Sequence, residues 1–297
     1  MPARLASRGH PSSMAEGVAL HCSGHDIRLK WHRLRRRRSD PIFTGKRLAE
    51  GLALGASMEV DVRVHAGEGL VVLHETSLEP ETTGAGLVSA ASPEYLRGLR
   101  IRGDDGAPTD DPVLLLDDLA GLMHGTVAPG ALVQLDFKET LDRLTPRTID
   151  SFAAVLGDVG GNIILSGGDW AAVKRLAEGV AGLRKGYDPC DLPEAGRLAS
   201  AADVAAFVAL TERIAPEADM IYLAYPLVLG ASALGYDIVD AFHRHGQTVD
   251  AWTFSTDHAD AAASLLKLAE CRVDQITTDE PIRLEEFWKA IAPPIAG

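Results

Sequence analysis

Cysteine is scarce in this sequence: Cys22, Cys190 and Cys271 lie far apart. An odd, sparse set makes neither a disulfide framework nor a zinc motif. It reads as reduced thiols in a cytoplasmic protein. Long apolar runs are also missing, and no stretch approaches the roughly 18 residues that a transmembrane helix needs. The opening MPARLASRGHPSSMAEG is polar, is interrupted by Pro11 and has no apolar signal-peptide centre. Residues 1–25 read as a flexible lead-in, with Met14 as an alternative start. Positive charge is in deficit: the net charge of −13 argues against a general nucleic-acid binder, because phosphate backbones attract the opposite sign. A local exception is Arg33 with Arg35 to Arg38, near Lys46 and Arg47. That run fits a solvated loop, a polyanion or localisation signal, or a loop facing phosphate. No G-x-G-x-x-G or Walker-type glycine loop follows the first strand-like segment, which removes the main positive sign of a nucleotide-binding open sheet.

What is present is alternation. Strand-like segments at 26–33, 57–62, 69–75, 131–138, 162–167, 183–187, 220–225, 248–255 and 274–281 are interleaved with helical ones. The helices are expected over 44–54, from Ser92 with Pro93 at its first position, after Pro112, and over 146–157, 169–179, 200–214, 231–245 and 257–269, the last opening on Asp257. Strand–helix alternation over about 250 residues is the signature of a parallel α/β fold. In a closed barrel the reactive groups come from the C-terminal ends of several strands. His32, Glu59, Asp61, His74, Asp136, Lys138 and Trp252 stand at such ends. The sequence therefore predicts a single (β/α)8 TIM barrel over residues 26–290.

The stretch MEVDV, Met58 to Val62, organises the candidate site. On a strand, side chains two apart point the same way, so Glu59 and Asp61 share a face. Two carboxylates aimed at one point repel unless something positive lies between them, and a hard divalent cation with oxygen ligands meets that need. The bland alternative is an edge strand with a solvated acidic face. Trp252 on an apolar strand fits core as well as pocket, and Asp279 before Pro281 reads as a turn or cap residue. His65, His124, His243, His245 and His258 read as surface residues.

Taken in order, these residues resemble the glycerophosphodiester phosphodiesterase family. The similarity runs from His32-Arg33 through Gly55-Ala56, Glu59-x-Asp61-Val62 and Val71-Val72-x-His74. It continues through LEPETTGAGLV (Leu78 to Val88) and DPVLLLDDL (Asp111 to Leu119). Asp136-x-Lys138, Trp252-Thr253-Phe254 and Ile276-Thr277-Thr278-Asp279-x-Pro281 complete it. The resemblance implies metal ligands at Glu59, Asp61 and Asp136, a general acid/base pair at His32 and His74, phosphate-side cations at Arg33 and Lys138, and a pocket aromatic at Trp252. It implies Mg²⁺ or Ca²⁺ as cofactor and a small-molecule phosphodiester as substrate.

The sequence departs from the family at four places. His-Arg-Gly is His32-Arg33-Leu34, and Pro-Glu-Asn-Thr is Pro41-Ile42-Phe43-Thr44. His-Asp is His74-Glu75, and the third acid is Asp136 rather than Glu, as in the sphingomyelinase-D-like branch. Three functions follow as expectations: hydrolysis to a phosphomonoester and an alcohol, a lyase or transferase reaction giving a cyclic phosphate, and a non-catalytic phosphoester-binding barrel. Within the basic run, Arg33 is expected to face the pocket and most of Arg35 to Arg38 to be solvated.

Overall fold

The computed structural model describes residues 15–22 and 24–293. β1 (Ala19–Cys22) forms an antiparallel pair with β2 (His25–Trp31), and β3 is Ser57–Val64. β4 (Leu70–Val72) folds back on β3, and β5 (Arg100–Arg102) and β6 (Pro108–Pro112) make a separate hairpin. β7 (Leu132–Phe137), β8 (Ile163–Ser166), β9 (Arg184–Tyr187), β10 (Met220–Ala224), β11 (Thr248–Trp252) and β12 (Gln275–Thr278) follow. The pairings run β2, β12, β11, β10, β9, β8, β7, β3 and back to β2, every one parallel. Eight parallel strands thus close a (β/α)8 barrel.

Helices cover the barrel because each turns one apolar stripe inward. In α1 (Gly45–Leu54) that stripe includes Leu48 and Leu52; in α4 (Pro146–Leu156), after α2 (Pro93–Arg97) and α3 (Leu116–Met123), it includes Ile149, Phe152 and Leu156. Their starts follow side-chain capping. Thr44, Ser92, Thr145 and Asp169 each accept a backbone N–H from the first turn, the last opening α5 (Trp170–Ala177), and Ser200 does so for α6 (Ala201–Ile214). Gly55 ends α1 at φ +74°, where a Cβ would stand 2.7 Å from the Pro129 carbonyl oxygen.

Several expectations need correction. The helix expected over 231–245 is two, α7 (Tyr225–Ala233) and α8 (Ile238–His243), separated by Gly235 at φ +79°. Asp257 does not open the next helix, α9 (Ala261–Glu270); its carboxylate pairs instead with Arg38 and Arg283. A last helix, α10 (Pro281–Ile291), follows β12. The 69–75 segment is no barrel strand, since β4 runs antiparallel to the end of β3. Of the lead-in expected over 1–25, residues 1–14 lie outside the described residues, whereas 19–22 form β1. His65 is buried at 6% exposure; its Nδ1 accepts the Gly67 N–H, and burial lowers its pKa. Among the described residues no helix is long and apolar enough to cross a membrane.

Alternation along the strands then decides what faces the barrel axis. One inner cluster is apolar: Leu132, Ile164, Met220 and Tyr222, with Trp252 packed against it. Gly186 makes room for it, because a Cβ there would lie 2.3 Å from the Tyr222 ring. The rest of the interior is polar, through Lys30, Gln134, Ser166, Asp250, Gln275 and Thr277, all buried.

Candidate active site at the barrel mouth

Period-two spacing carries each strand's inner face up to the C-terminal rim. Lys30 leads to His32, Glu59 to Asp61, Gln134 to Asp136 and Lys138, and Thr277 to Asp279. All eight residues singled out in the sequence, His32, Arg33, Glu59, Asp61, His74, Asp136, Lys138 and Trp252, line one cavity of about 320 Å³. A larger space of about 900 Å³ adjoins it and shares Asp136, Lys138 and Asp188.

Asp61 and Asp136 are register partners on β3 and β7. With Glu59 they offer carboxylate oxygens that all lie within 4.8 Å of one another. Glu59 and Asp61 are buried, at 4% and 2% exposure. Burial, then the charges of Asp61 and Asp136, push the Glu59 carboxyl well above its ordinary range. Two cations offset part of this charge. The Lys138 ammonium lies 2.9 Å from Asp61 Oδ1 and also pairs with Asp136. Arg33 brings its Nε to 3.4 Å from Asp61 Oδ2, and its backbone N–H donates to Glu59 Oε2 at 2.8 Å. Burial works to raise the Asp136 pKa, but Lys138, Ser166 and Lys30 outweigh it and hold the group below its usual value. Asp61 Oδ2 remains buried without a hydrogen bond. An all-oxygen donor set of three carboxylates, one buried oxygen unpartnered and one acid driven toward its neutral form, fits a hard divalent cation.

Both histidines are held by carboxylates. Nδ1 of His32 lies 2.8 Å from Asp279 Oδ1, and Arg35 braces that aspartate at 3.5 Å. Burial opposes ionisation of Asp279, but His32 and the arginines outweigh it and lower its pKa. Nδ1 of His74 lies 2.9 Å from Glu75 Oε1. Although His74 does not end a barrel strand, β4 returns the chain to the rim, and three contacts fix it there. Glu81 Oε2 accepts the N–H groups of His74 and Glu75 at 2.9 and 3.0 Å, and Arg63 Nε donates to the His74 carbonyl at 2.6 Å.

The basic run divides differently from the expectation. Arg37 and Arg38 are exposed, but Arg35 and Arg36 are half-buried and paired, with Asp104 and Asp279 and with Glu50 respectively. The turn that carries Arg33 is unusual. Arg33, Leu34 and Phe43 have φ of 52°, 63° and 56°, a region that costs most non-glycine residues about 1–2 kcal/mol. Leu34 and Phe43 stand where the resembling family has Gly and Asn, the residues best suited to it. Both side chains are wholly buried here, and the Phe43 N–H donates to the Arg33 carbonyl at 3.0 Å, so packing holds the left-handed turn.

Sequence reasoning missed Asp279, Glu81, Arg63 and the buried Lys30, Gln134 and Ser166 as parts of this region. Polar residues at alternate positions of central parallel strands, which are normally apolar on both faces, were the available signal for Lys30 and Gln134. Asp279 continues the same parity from Gln275 and Thr277. Glu81 lies in the stretch Leu78 to Val88 that carries part of the family resemblance, but no role was read for it there, and nothing in the sequence pattern pointed to Arg63.

No protein-family model and no curated protein matches the sequence. Solved structures do. A glycerophosphoryl diester phosphodiesterase from Parabacteroides distasonis superposes with a TM-score of 0.64 at 18% identity, over 94% of this chain and 92% of that one. A phosphodiesterase from Oleispira antarctica, solved with its product sn-glycerol-3-phosphate, gives 0.63 at 17% identity, over 87% and 95%. The glycerophosphodiester phosphodiesterase from Thermotoga maritima gives 0.61 at 18% identity, over 89% and 99%. With this barrel closed and these strands in register, the chain has the fold of the glycerophosphodiester phosphodiesterases.

Proposed function

We propose that this protein is a metal-dependent phosphodiesterase that hydrolyses a small glycerophosphodiester-like substrate to a phosphomonoester and an alcohol. The observation that carries this reading is the convergence of Glu59, Asp61 and Asp136 within 4.8 Å, in a cavity that also holds both histidines and two cations. Glu59, Asp61 and Asp136 would hold Mg²⁺ or Ca²⁺, since oxygen donors dominate. Such an ion supplies Lewis acidity at a phosphoryl oxygen.

The chain's own groups do the rest. Arg33 and Lys138 attract and orient the diester anion, whose negative charge would otherwise be repelled by three carboxylates. His32 and His74 divide the proton work: one takes a proton from the attacking water and the other gives one to the leaving alcohol. With Nδ1 of each ring engaged by Asp279 or Glu75, each Nε2 is left to face the substrate. Trp252, at the rim and backed by the inner apolar cluster, supplies a flat wall for the substrate's carbon skeleton.

The experiment is release of nitrophenol from bis(p-nitrophenyl) phosphate by chelator-treated protein, with and without Mg²⁺ or Ca²⁺. Turnover that needs the ion and disappears in Asp61→Asn supports the reading. Tight phosphoester binding without turnover on any diester would replace it with a binding barrel. Phosphorus NMR on natural diesters separates hydrolysis, which yields a monoester, from attack by a substrate hydroxyl, which yields a cyclic phosphate.

A further inference from the structure

The polar interior beneath the carboxylates is a connected chain with a fixed direction. At its base Asp250, wholly buried, accepts from Gln275 Nε2 at 2.6 Å and from Thr277 Oγ1 at 2.7 Å. The Lys30 ammonium lies 3.3 Å from Asp250 and 4.3 Å from the centre of the Tyr222 ring. Lys30 also donates to Oε1 of Gln134. An ammonium can only donate, so it orients the Gln134 amide with its carbonyl toward Lys30 and its NH₂ away. That NH₂ donates to Ser166 Oγ at 2.8 Å. Ser166 is left with its own proton to give, and it donates to Asp136 Oδ1 at 2.9 Å. Lys30, Gln134 and Ser166 are all buried, so these contacts are made largely out of solvent. Asp136 and Ser166 are register partners on β7 and β8, which fixes the final link through the backbone.

We propose that Ser166, oriented by Gln134 and Lys30, is a positioning residue that holds the Asp136 carboxylate where it completes a cation site with Glu59 and Asp61. The inference rests on the metal reading of those three acids. Its physical basis is directional. Lys138 pulls on Oδ2 of Asp136 from the cavity side. Without Ser166 on Oδ1, nothing in the hydrogen-bond pattern opposes rotation of the carboxylate toward that ammonium. Groups that orient a ligand from behind commonly change metal affinity by about 10–100-fold when removed.

The test compares Ser166→Thr with Ser166→Val, two variants of nearly equal size that differ by a hydroxyl, and adds Ser166→Ala in case either branched residue fails to fold. Mg²⁺ affinity is measured by calorimetry without substrate, and the Asp136 side chain is located in metal-free crystals. Ser166→Thr should bind Mg²⁺ within about threefold of the unmodified protein, while Ser166→Val and Ser166→Ala should bind about 10–100-fold more weakly, with Asp136 turned toward Lys138. Unchanged affinity and an unmoved Asp136 in Ser166→Ala would overturn the proposal. If the unmodified protein itself binds neither Mg²⁺ nor Ca²⁺, the metal reading falls. The Asp136 conformation in Ser166→Ala then still decides the positioning role: a turned carboxylate supports it and an unmoved one overturns it.

Discussion

Nδ1 of His32 stands 2.8 Å from Oδ1 of Asp279 across the seam where β12 meets β2, though the two residues are 247 positions apart in sequence. The contact engages Nδ1, which in the proposed mechanism leaves Nε2 as the nitrogen that meets the substrate. Asp279→Asn should keep the fold and lower kcat by roughly 10–100-fold, because an amide can hold the ring in the wrong tautomer. His32→Ala and His74→Ala should each cost about 10²–10⁴-fold in kcat. The double variant should lose less than the product of the two factors, since groups that act together are not additive. Full activity with both rings removed would contradict the acid–base assignment.

Lys138 is the internal counter-charge of the site, paired with Asp61 and Asp136. These pairings, Asp136 foremost, raise its pKa against the opposing effect of burial. Removing the ammonium strands carboxylates in a poorly solvated place. Lys138→Met should therefore destabilise the metal-free protein by about 2–3 kcal/mol, less than for a fully buried pair because the side chain is part-exposed. Millimolar Mg²⁺ should restore much of that loss while activity stays low. The check is thermal unfolding with and without the ion; a Tm indifferent to both changes would contradict the pairing.

Asp188, on the wall between the two cavities, gives a prediction with a definite sign. Burial, with a contribution from the Asp136 charge, pushes its carboxyl up to about 7 from 3.8. The folded protein then holds this proton more tightly than the unfolded chain. Its contribution to stability is greatest below the unfolded value and declines as pH rises from about 4 to about 7. Asp188→Asn removes that decline. The variant should match the unmodified protein near pH 4 and exceed it by roughly 2 kcal/mol at pH 8, a value trimmed because the cavity admits solvent. A stability gap that does not change with pH would contradict the assignment.

Arg33 and Arg37 belong to one basic run but to different surroundings. Arg33 lines the cavity beside Asp61, while Arg37 is exposed. Arg33→Ala should raise KM for a charged diester by about tenfold or more, the worth of one charge-assisted hydrogen bond, and Arg37→Ala by less than twofold. Equal effects would mean that the run acts only as a diffuse field.

Much of this was legible in the sequence because it follows from short-range periodicity. Glu59-x-Asp61 and Asp136-x-Lys138 share a face whatever the tertiary fold, and strand–helix alternation leads to a parallel barrel. Thr44, Ser92 and Ser200 mark helix starts by a local hydrogen bond. What escaped depends on contacts between distant segments. Asp279 looked like a turn residue because its partner, His32, lies just past the end of the first barrel strand, far away in sequence. β4 looked like a barrel strand because an apolar run carries no sign of its direction. The break between α7 and α8 rests on one glycine in a segment whose helical pattern continues on both sides. Lys30 is the plainest case: a lysine within an apolar strand becomes intelligible only when Asp250, Gln134 and Tyr222 surround it.

Every role proposed for the site depends on Glu59, Asp61 and Asp136 holding one divalent ion at the C-terminal mouth of the barrel. Crystals soaked in Mn²⁺ and phosphate, with data collected at the manganese absorption edge, test it most directly. A single anomalous peak is expected in ligand contact with all three carboxylates, with phosphate density beside it within reach of Arg33, Lys138 and both histidines. A peak elsewhere, or none at millimolar Mn²⁺ with Lys138 still seated between Asp61 and Asp136, would contradict it.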